Sequence, residues 1–336
     1  MHPFDIENQL PDLSAATRRI FLKGMCAAGA SVPLAACNTT AGESGAGPFF
    51  SNHDLPIGIQ LYMLGDLART DLDGTLNEVS GIGYRAVELA GYLGKTPQEL
   101  RASFDRAGVV CTSAHVGLRA GTAQEPGLTG DLDQLAADMK AIGAGHVVCP
   151  ILTPPSDIKV EPKEGEGFRV LTRMVALMTE DHWKRLAAQL NQIGGALKAR
   201  GLSFGYHNHN VEFAKIGDRT GFDILIAETD PDLVDFELDI GWAAAAGYDP
   251  AKVFEKHSGR FGLAHVKDVK ATTQPNVDLR MDPTEIGSGR LDWTRIIPAA
   301  YKAGVRKFFV EQEPPFAIPR IEAAAKNFAF LNQLQA

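Results

Sequence analysis

The stretch "DHWKRLAAQLNQIGGALKARGLSFGYHN", residues 181–208, joins a helical pattern to a strand-like pattern through one glycine. Its first part places apolar residues three or four positions apart, as one buried helix face requires, at Trp183, Leu186, Leu190, Ile193 and Leu197. Gly201 follows the helical pattern, as is common at helix ends. The next run, residues 202–208, is short and apolar like a buried strand. The stretch therefore predicts a helix followed by a strand, the repeating pair of α/β folds.

The same pair recurs from residue 55 onward. Eight apolar runs alternate with helical patterns, and they occupy residues 57–62, 84–90, 109–116, 146–152, 202–208, 233–240, 262–268 and 307–313. Eight such units predict a (β/α)8 TIM barrel, one α/β domain over residues 55–336. The alternative is a doubly wound open sheet. That fold should carry a GxGxxG or GxxxxGK[ST] phosphate loop after an early strand, and the sequence has neither.

The composition is that of an ordinary globular protein. The 336 residues are 45% hydrophobic and 22% charged, and the formal net charge is -8. An acidic chain is a poor match for nucleic acid, whose phosphates select basic surfaces, so we expect no nucleic-acid partner. Cys111 and Cys149 lie in strand-like runs and are predicted to be buried thiols.

The first residues differ from the rest of the chain. "TRRIFLKG", residues 17–24, resembles a twin-arginine export signal, and "LAAC", residues 34–37, resembles a lipobox in which Cys37 would be lipidated. We expect residues 1–37 to be a leader and 38–54 a flexible tether, with the domain in the periplasm and a lipid anchor as its only membrane contact. The alternative is a disordered tail with a chance arginine pair.

Polar residues end or follow the predicted strands, where barrel active sites lie. They are Glu88, His115, His207, Asn208, His209, Glu212, Glu237, Asp239, His265, Lys267, Asp268, Glu311 and Glu313. Residues two apart in a strand share a face, so several of these pairs can point inward together. Buried charges are costly unless they are paired or bind a metal. A cation shared by Asp239, His265 and Glu311 would meet that cost, and mixed oxygen and nitrogen ligands suit Mn²⁺, Fe²⁺, Co²⁺ or Zn²⁺.

Several of these residues also have plain structural explanations. Glu88 could be a buried salt-bridge partner, His115 a satisfied core histidine and Trp242 a cap on the barrel top. Lys267 could serve only to neutralise Asp239 or Glu311. Two long loops, residues 153–178 and 269–290, follow strand ends and are predicted to be lids or disordered segments.

Five motifs occur in a fixed order: "YHNHNVEF", "FELDIGWAAAAG", "LAHVKD", "EIGSGRLDW" and "FFVEQE". Over residues 55–334 they resemble the xylose isomerase-like barrel superfamily, in particular its bacterial sugar phosphate isomerase/epimerase branch. The resemblance implies one divalent metal (Mn, Co, Fe, Zn or Mg), held by Glu, Asp, His and Glu from strands five to eight.

Asp239, His265 and Glu311 match the last three of those ligand positions. Gly205 stands where ketose epimerases carry the first glutamate. His207, His209 or Glu212 could take its place, or water could complete a site of three residues. We expect His209 as the added ligand and Glu212 as a substrate contact. The histidine-rich strand five resembles inosose dehydratase-like members more than ketose epimerases.

The resemblance predicts a metal-dependent isomerase or epimerase, or a related lyase or dehydratase, acting on a sugar or keto-sugar through an enediolate. His207 or Glu311 would be the base. The other expected substrate contacts are Glu88, His115 and Lys267, with Trp242 and Tyr62 as apolar walls. The alternatives are a lipid-anchored sugar-binding protein without catalysis, favoured by Gly205, and a metal-dependent hydrolase. Family members are often dimers or tetramers, so the resemblance also allows a homo-oligomer.

Overall fold

Eight parallel strands close into a barrel in which each strand pairs with its neighbours in the sequence and the last pairs with the first. The computed structural model describes residues 47–120 and 125–336. The barrel strands are β1 Ile57–Gln60, β2 Ala86–Ala90, β3 Val110–His115, β4 His146–Cys149, β5 Ser203–His207, β6 Asp235–Asp239, β7 Phe261–Val266 and β8 Lys307–Val310. The predicted α/β TIM barrel is therefore confirmed.

Helices surround the barrel and bury their apolar faces against it. They span Phe49–Asn52, Asp66–Thr70, Leu72–Ile82, Pro97–Ala107, Leu132–Ile142, Val170–Val175, Glu180–Lys198, Gly221–Glu228, Ile240–Ala245, Pro250–Lys256, Trp293–Lys302 and Arg320–Asn332. The helix Glu180–Lys198 buries the five apolar residues that the opening stretch placed on one face. Thr96 and Glu99 form a capping box at the start of Pro97–Ala107, and Gly108 ends that helix with a left-handed backbone.

The structural strands are shorter than several of the predicted apolar runs. Residues 233–240 contain β6 Asp235–Asp239, and residues 307–313 contain β8 Lys307–Val310. The difference lies partly at the carboxyl ends, where the next element begins. Asp239, the last residue of β6, accepts a hydrogen bond from the Trp242 amide and so caps the helix Ile240–Ala245. Periodicity predicts each element but not its last residue.

A separate apolar cluster forms a layer inside the barrel, and its members are Ala86, Val148, Leu263 and Phe309. Three of them stand two positions before Glu88, His265 and Glu311 on their strands. Strand alternation puts such pairs on the same face, one layer apart. The cluster therefore forms the floor beneath the polar groups at the carboxyl ends of the strands.

The beginning of the described chain is packed rather than extended. Within the predicted tether 38–54, residues Phe49–Asn52 form a helix, and Phe49 and Phe50 are buried. The Phe49 amide donates to the Leu334 carbonyl at 2.7 Å, which ties this segment to the end of the chain. The ordered domain therefore starts before residue 55. The predicted leader 1–37 and the start of the tether lie outside the described residues.

Two further predictions concern helices and thiols. Among the described residues, no helix combines the length and the apolar character that a membrane crossing requires. Cys111 and Cys149 are buried and unbridged, as predicted.

The two long loops carry structure of their own. Residues 153–178 contain the 3-10 turn Gly167–Arg169 and the helix Val170–Val175. The loop after β7 begins with a two-stranded ribbon in which Asp268–Val269 pairs with Pro283–Thr284. Both loops follow the carboxyl ends of barrel strands, so they stand at the side where barrel enzymes hold substrate.

Candidate metal centre and active site

A buried network of histidines and carboxylates joins five strands at the carboxyl end of the barrel. Its centre is one oxygen of Glu237, Oε2, which lies 2.9 Å from His115 Nε2, 2.9 Å from His207 Nδ1 and 3.2 Å from His265 Nε2. A single oxygen that faces three ring nitrogens can satisfy them together only as an acceptor. Each of these rings therefore presents an N–H to Glu237.

Glu88 adds a second carboxylate to the same layer. Its Oε2 accepts from Gln60 Nε2 at 2.9 Å and lies 2.6 Å from His265 Nε2. It also lies 3.2 Å from His115 Nε2. Burial lowers the pKa of His115, but Glu88 and Glu237 outweigh burial and raise that pKa to about 9. Glu88 thus contacts the rings of both His265 and His115, so Glu88 and His115 are parts of the buried network.

Asp239, His265 and Glu311 form a second group that shares His265 with the first. One donor atom from each lies within 4.8 Å of the other two, and all three residues are buried. His265 uses its other nitrogen here, with Nδ1 2.9 Å from Glu311 Oε2. The sequence placed these three residues at the ends of three successive strands, and the fold brings their donors together.

Lys267 is the cation that this acidic pocket already contains. Its Nζ lies 2.6 Å from Glu311 Oε2, 2.9 Å from Asp239 Oδ2 and 2.9 Å from Glu313 Oε1. Burial lowers the pKa of Lys267, but the neighbouring carboxylates, Asp239 first, outweigh burial and raise it well above its ordinary value. Three carboxylates against one ammonium and one shared imidazole leave the pocket rich in negative charge.

The donor chemistry of this pocket fits a divalent cation. Carboxylate oxygens and an imidazole nitrogen are the ligands that Mn²⁺, Fe²⁺, Co²⁺ and Zn²⁺ accept in proteins. Asp239 Oδ2 is buried, and the Lys267 ammonium at 2.9 Å is the cationic partner that the chain itself gives it. Glu88 and Glu237 hold the far nitrogen of His265, which is how metal-binding histidines are usually oriented.

The stretch "YHNHN" and Glu212 divide into distinct structural tasks. Asn208 Oδ1 accepts from the Asp239 amide at 3.1 Å and so fixes the end of β6. Asn210 Nδ2 donates to the Asn276 carbonyl at 3.1 Å, and Asn210 Oδ1 accepts from the Leu279 amide at 3.1 Å. Asn210 therefore anchors the long loop after β7 to strand five.

Glu212, expected to contact substrate, has both carboxylate oxygens engaged within the chain. It accepts from the Tyr206 hydroxyl at 2.8 Å and from the His209 amide at 2.8 Å, and it is fully buried. Burial raises the pKa of Glu212 to about 7. The carboxylate shapes the turn that carries His209.

His209, expected as the added metal ligand, lies outside both groups of clustered donors. Its ring centroid is 5.1 Å from that of His207, 5.5 Å from Trp242 and 6.3 Å from Phe168. Its Nδ1 is buried and without a hydrogen-bond partner in the described part of the chain. Burial lowers the pKa of His209 to about 3, so the ring is neutral near neutral pH.

Aromatic side chains stand beside the polar groups. The Trp242 indole lies 5.4 Å from Lys267 Nζ, a cation–π contact, and its backbone amide donates a hydrogen bond to Asp239 Oδ1. Tyr62, which follows β1, is 37% exposed, and Glu313 is the largest cause of the rise in its pKa. Trp242 therefore lies beside Lys267, and Tyr62 lies near Glu313.

The stretch "GSGRLDW", residues 287–293, surrounds the side chain of Asp268. Asp268 accepts from the amides of Gly287 and Gly289 at 3.0 and 3.2 Å and from Trp293 Nε1 at 2.9 Å. A Cβ on Gly289 would overlap the Asp268 carboxylate. The glycines thus let the loop close around Asp268.

The central part of Glu237 in the network was missed by the sequence reasoning. The sequence predicts that Glu237 lies near a strand end, but it assigns no role in the site to Glu237 or Gln60. The alternation of Glu237 and Asp239 in an apolar strand was the available signal. Gln60 ends β1 and pairs with Glu88 in the sheet register, which no local pattern reveals.

The fold and site together define a TIM barrel with a buried histidine–carboxylate centre at the carboxyl ends of its strands. The family model for the xylose isomerase-like TIM barrel matches residues 76–334. The chain belongs to that family. The expected superfamily is thereby confirmed.

Similar proteins include dehydratases and epimerases. An inosose dehydratase from Geobacillus kaustophilus is 26% identical over 212 residues, which cover 59% of this chain and 62% of that protein. A sugar phosphate isomerase/epimerase from Parabacteroides distasonis ATCC 8503 has a solved structure with a TM-score of 0.61 and 26% identity, covering 83% of this chain and 93% of that one. The solved L-ribulose 3-epimerase, at 16% identity and a TM-score of 0.57, covers 82% of this chain and 93% of that one and shares the fold. The chain spans less than two thirds of the length of the curated dehydratases it matches, 62% and 56% for the first two.

Proposed function

We propose that the protein is a metal-dependent enzyme that removes a proton next to a carbonyl of a sugar or keto-sugar, giving isomerisation, epimerisation or dehydration. The observation that carries this proposal is the buried group of Asp239, His265 and Glu311 at the carboxyl ends of three adjacent strands. The named activities of the similar proteins, inosose dehydratase and sugar phosphate isomerase/epimerase, support the same class of substrate.

Asp239, His265 and Glu311 would hold one divalent cation. A cation there would polarise a substrate carbonyl and a neighbouring hydroxyl, which lowers the pKa of the adjacent C–H and stabilises an enediolate. Lys267 would share the carboxylates with the cation and balance part of their negative charge. Its position within 3 Å of Asp239, Glu311 and Glu313 supports this assignment.

Proton transfer needs a neutral base near the substrate. Burial and then the neighbouring charge of His265 hold the pKa of His207 well below its ordinary value, and burial lowers that of His209. Both rings are therefore unprotonated acceptors at neutral pH. Glu311, the other candidate from the sequence, is held between His265 and Lys267, and this supports a ligand role rather than a base role.

The fate of the proton would determine the product. Return to the opposite face of the same carbon gives an epimer, return to the neighbouring carbon gives an isomer, and loss of a β-hydroxyl gives a dehydrated product. Trp242, Phe168 and Tyr62 offer flat apolar surfaces that suit a sugar ring. The three reactions share their first step, so one experiment can test the proposal.

The test is hydrogen exchange with solvent. The purified protein, loaded with Mn²⁺, is incubated in D₂O with free ketoses, inososes and 3-keto-glycosides, and carbon-bound protons are followed by NMR after the metal is removed. We expect exchange at a carbon next to the carbonyl, abolished by EDTA and in His265→Ala. A protein that binds Mn²⁺ but exchanges no proton in any of these compounds would contradict the proposal. Entry of solvent oxygen instead would indicate a hydrolase.

We also propose export by the twin-arginine route, supported by Arg18, Arg19 and the following apolar segment. The residue Cys37 would carry the lipid anchor. Cell fractionation tests both points. Replacing the arginine pair by lysines should retain the protein in the cytoplasm, and Cys37→Ser should release it from the membrane fraction into the periplasm. Equal distribution of all variants would contradict export by this signal.

A further inference from the structure

Gly205 has no side chain, so it cannot supply the carboxylate expected from β5 as the fourth metal ligand. We propose that His207, through Nε2, is the fourth protein ligand of the metal site and replaces that carboxylate. This inference rests on the proposed function in one respect, that Asp239, His265 and Glu311 hold a divalent cation. It replaces the expectations that His209 is the added ligand and that His207 is the base, and it leaves His209 as the neutral ring that can accept a proton.

The distances place His207 and His265 symmetrically about one oxygen. Asp239 Oδ2 lies 3.8 Å from His207 Nε2 and 3.8 Å from His265 Nδ1. Two ligands of one cation, each bound at about 2.1 Å, are themselves roughly 3–4 Å apart. The two ring centroids are 4.5 Å apart, so both rings reach the same carboxylate. The same oxygen lies 2.9 Å from Lys267 Nζ, the cation that neutralises it in the chain alone.

His207 is oriented in the way that metal-binding histidines are. Its far nitrogen, Nδ1, lies 2.9 Å from Glu237 Oε2, which accepts a hydrogen bond from the Nδ1–H. The proton on Nδ1 leaves the lone pair on Nε2, the nitrogen that faces Asp239. A carboxylate behind a ligating imidazole fixes its tautomer and ring orientation. His265 has the same support from Glu88, whose Oε2 lies 2.6 Å from its Nε2.

His209 lacks this arrangement. Its Nδ1 has no partner in the part of the chain described, and its ring packs beside Trp242 and Phe168. Glu212 holds its backbone amide rather than its imidazole. His209 is therefore placed to meet the substrate beside the aromatic walls, with an unoccupied ring nitrogen, while His207 faces the cation.

Two neighbouring side chains, those of Asp235 and His146, explain why β5 carries glycine at position 205. A Cβ on Gly205 would lie 2.5 Å from Asp235 Oδ1 and 3.2 Å from His146 Nε2. These two side chains bond to each other at 3.1 Å and fill the space that a glutamate would enter. His207 stands two residues later on the same face, one layer closer to the carboxyl end. The proposed ligand from β5, His207, therefore lies one layer closer to the carboxyl end than Gly205.

The experiment counts nitrogen ligands directly. The purified full chain is stripped of metal and titrated with Mn²⁺ by calorimetry, and pulsed EPR of the bound Mn²⁺ counts coordinated nitrogens. We expect two nitrogens in the wild type and in His209→Ala, the matched control, and one in His207→Ala. Glu237→Gln keeps both rings but weakens the support of His207, and we expect roughly a 10–100-fold loss of Mn²⁺ affinity from such a change.

The outcomes separate the two proposals. Loss of one nitrogen in His209→Ala, with both retained in His207→Ala, would overturn the inference and leave the metal-dependent function intact. A wild-type protein that binds no Mn²⁺, Co²⁺ or Zn²⁺ would overturn the proposed function itself. If His207→Ala does not fold, the nitrogen count of His207→Gln decides, and two coordinated nitrogens in that variant would overturn the role of His207.

Discussion

Glu212 provides a prediction whose size follows from its surroundings. The carboxyl is buried, and burial raises its pKa to about 7 in the folded chain, against an ordinary value of 4.5. The folded state therefore holds a proton that the unfolded state has released between these two values. Stability falls as the pH rises through this interval, because the ionised carboxylate is disfavoured in the fold. A shift of this size lowers the free energy of unfolding by about 3 kcal/mol at pH values above the folded pKa.

Glu212→Gln should remove this cost. The amide oxygen can accept from the His209 amide, and the amide nitrogen can donate to the Tyr206 hydroxyl, which accepts as readily as it donates. At about pH 5 the variant should match the wild type within roughly 1 kcal/mol, and at about pH 8 it should be more stable by up to about 3 kcal/mol.

The assay is urea unfolding of both proteins followed by tryptophan fluorescence across this pH range. Both are measured without added metal, so that cation binding does not contribute. Glu212→Asp is the control, because it keeps the charge and loses the reach to Tyr206 and His209. A stability difference between Glu212→Gln and the wild type that is constant with pH would refute the reasoning.

Three further predictions concern the loop 269–290, Gly205 and metal binding. Asn210→Ala should release the loop 269–290, speeding limited proteolysis there and lowering kcat without changing Mn²⁺ affinity, and unchanged proteolysis would contradict this. Gly205→Glu introduces the glutamate that the resemblance to ketose epimerases leads us to expect at this position. It should lower the free energy of unfolding in urea by about 1–3 kcal/mol, because its Cβ would overlap Asp235. Metal-free protein should gain about 3 kcal/mol, seen as a higher Tm, at Mn²⁺ concentrations near 100 times Kd. An unchanged Tm at that saturation would contradict a site in the folded state.

Elements that depend on local pattern were predictable from the sequence. Eight apolar runs and their helices specify the barrel, because each strand pairs with the next one along the chain. Asp239, His265 and Glu311 were also predictable, since a parallel barrel gathers strand ends at one side. These residues needed only their position at the ends of strands.

Roles that depend on distance across the barrel were not predictable. His207 and His209 have the same residue type and share a face by alternation. They differ only because Glu237 lies behind one ring, while Trp242 and Phe168 lie beside the other. From the sequence, Glu212 is likewise expected to contact substrate, but the turn after β5 folds its carboxylate onto Tyr206. Such assignments come from neighbouring strands and loops.

The polar layer is better explained by a reaction than by stability. Glu88 and Glu237 are fully buried beneath three histidines, and one oxygen of each has no hydrogen-bond partner within the described chain. Buried ion pairs of this kind often stabilise a fold no better than apolar residues of the same volume. The apolar floor one layer below shows that this barrel can fill its interior with hydrophobic side chains. Where it does not, each carboxylate holds the far nitrogen of a histidine, and the near nitrogens of His207 and His265 face Asp239. That arrangement gives a cation a fixed set of donors.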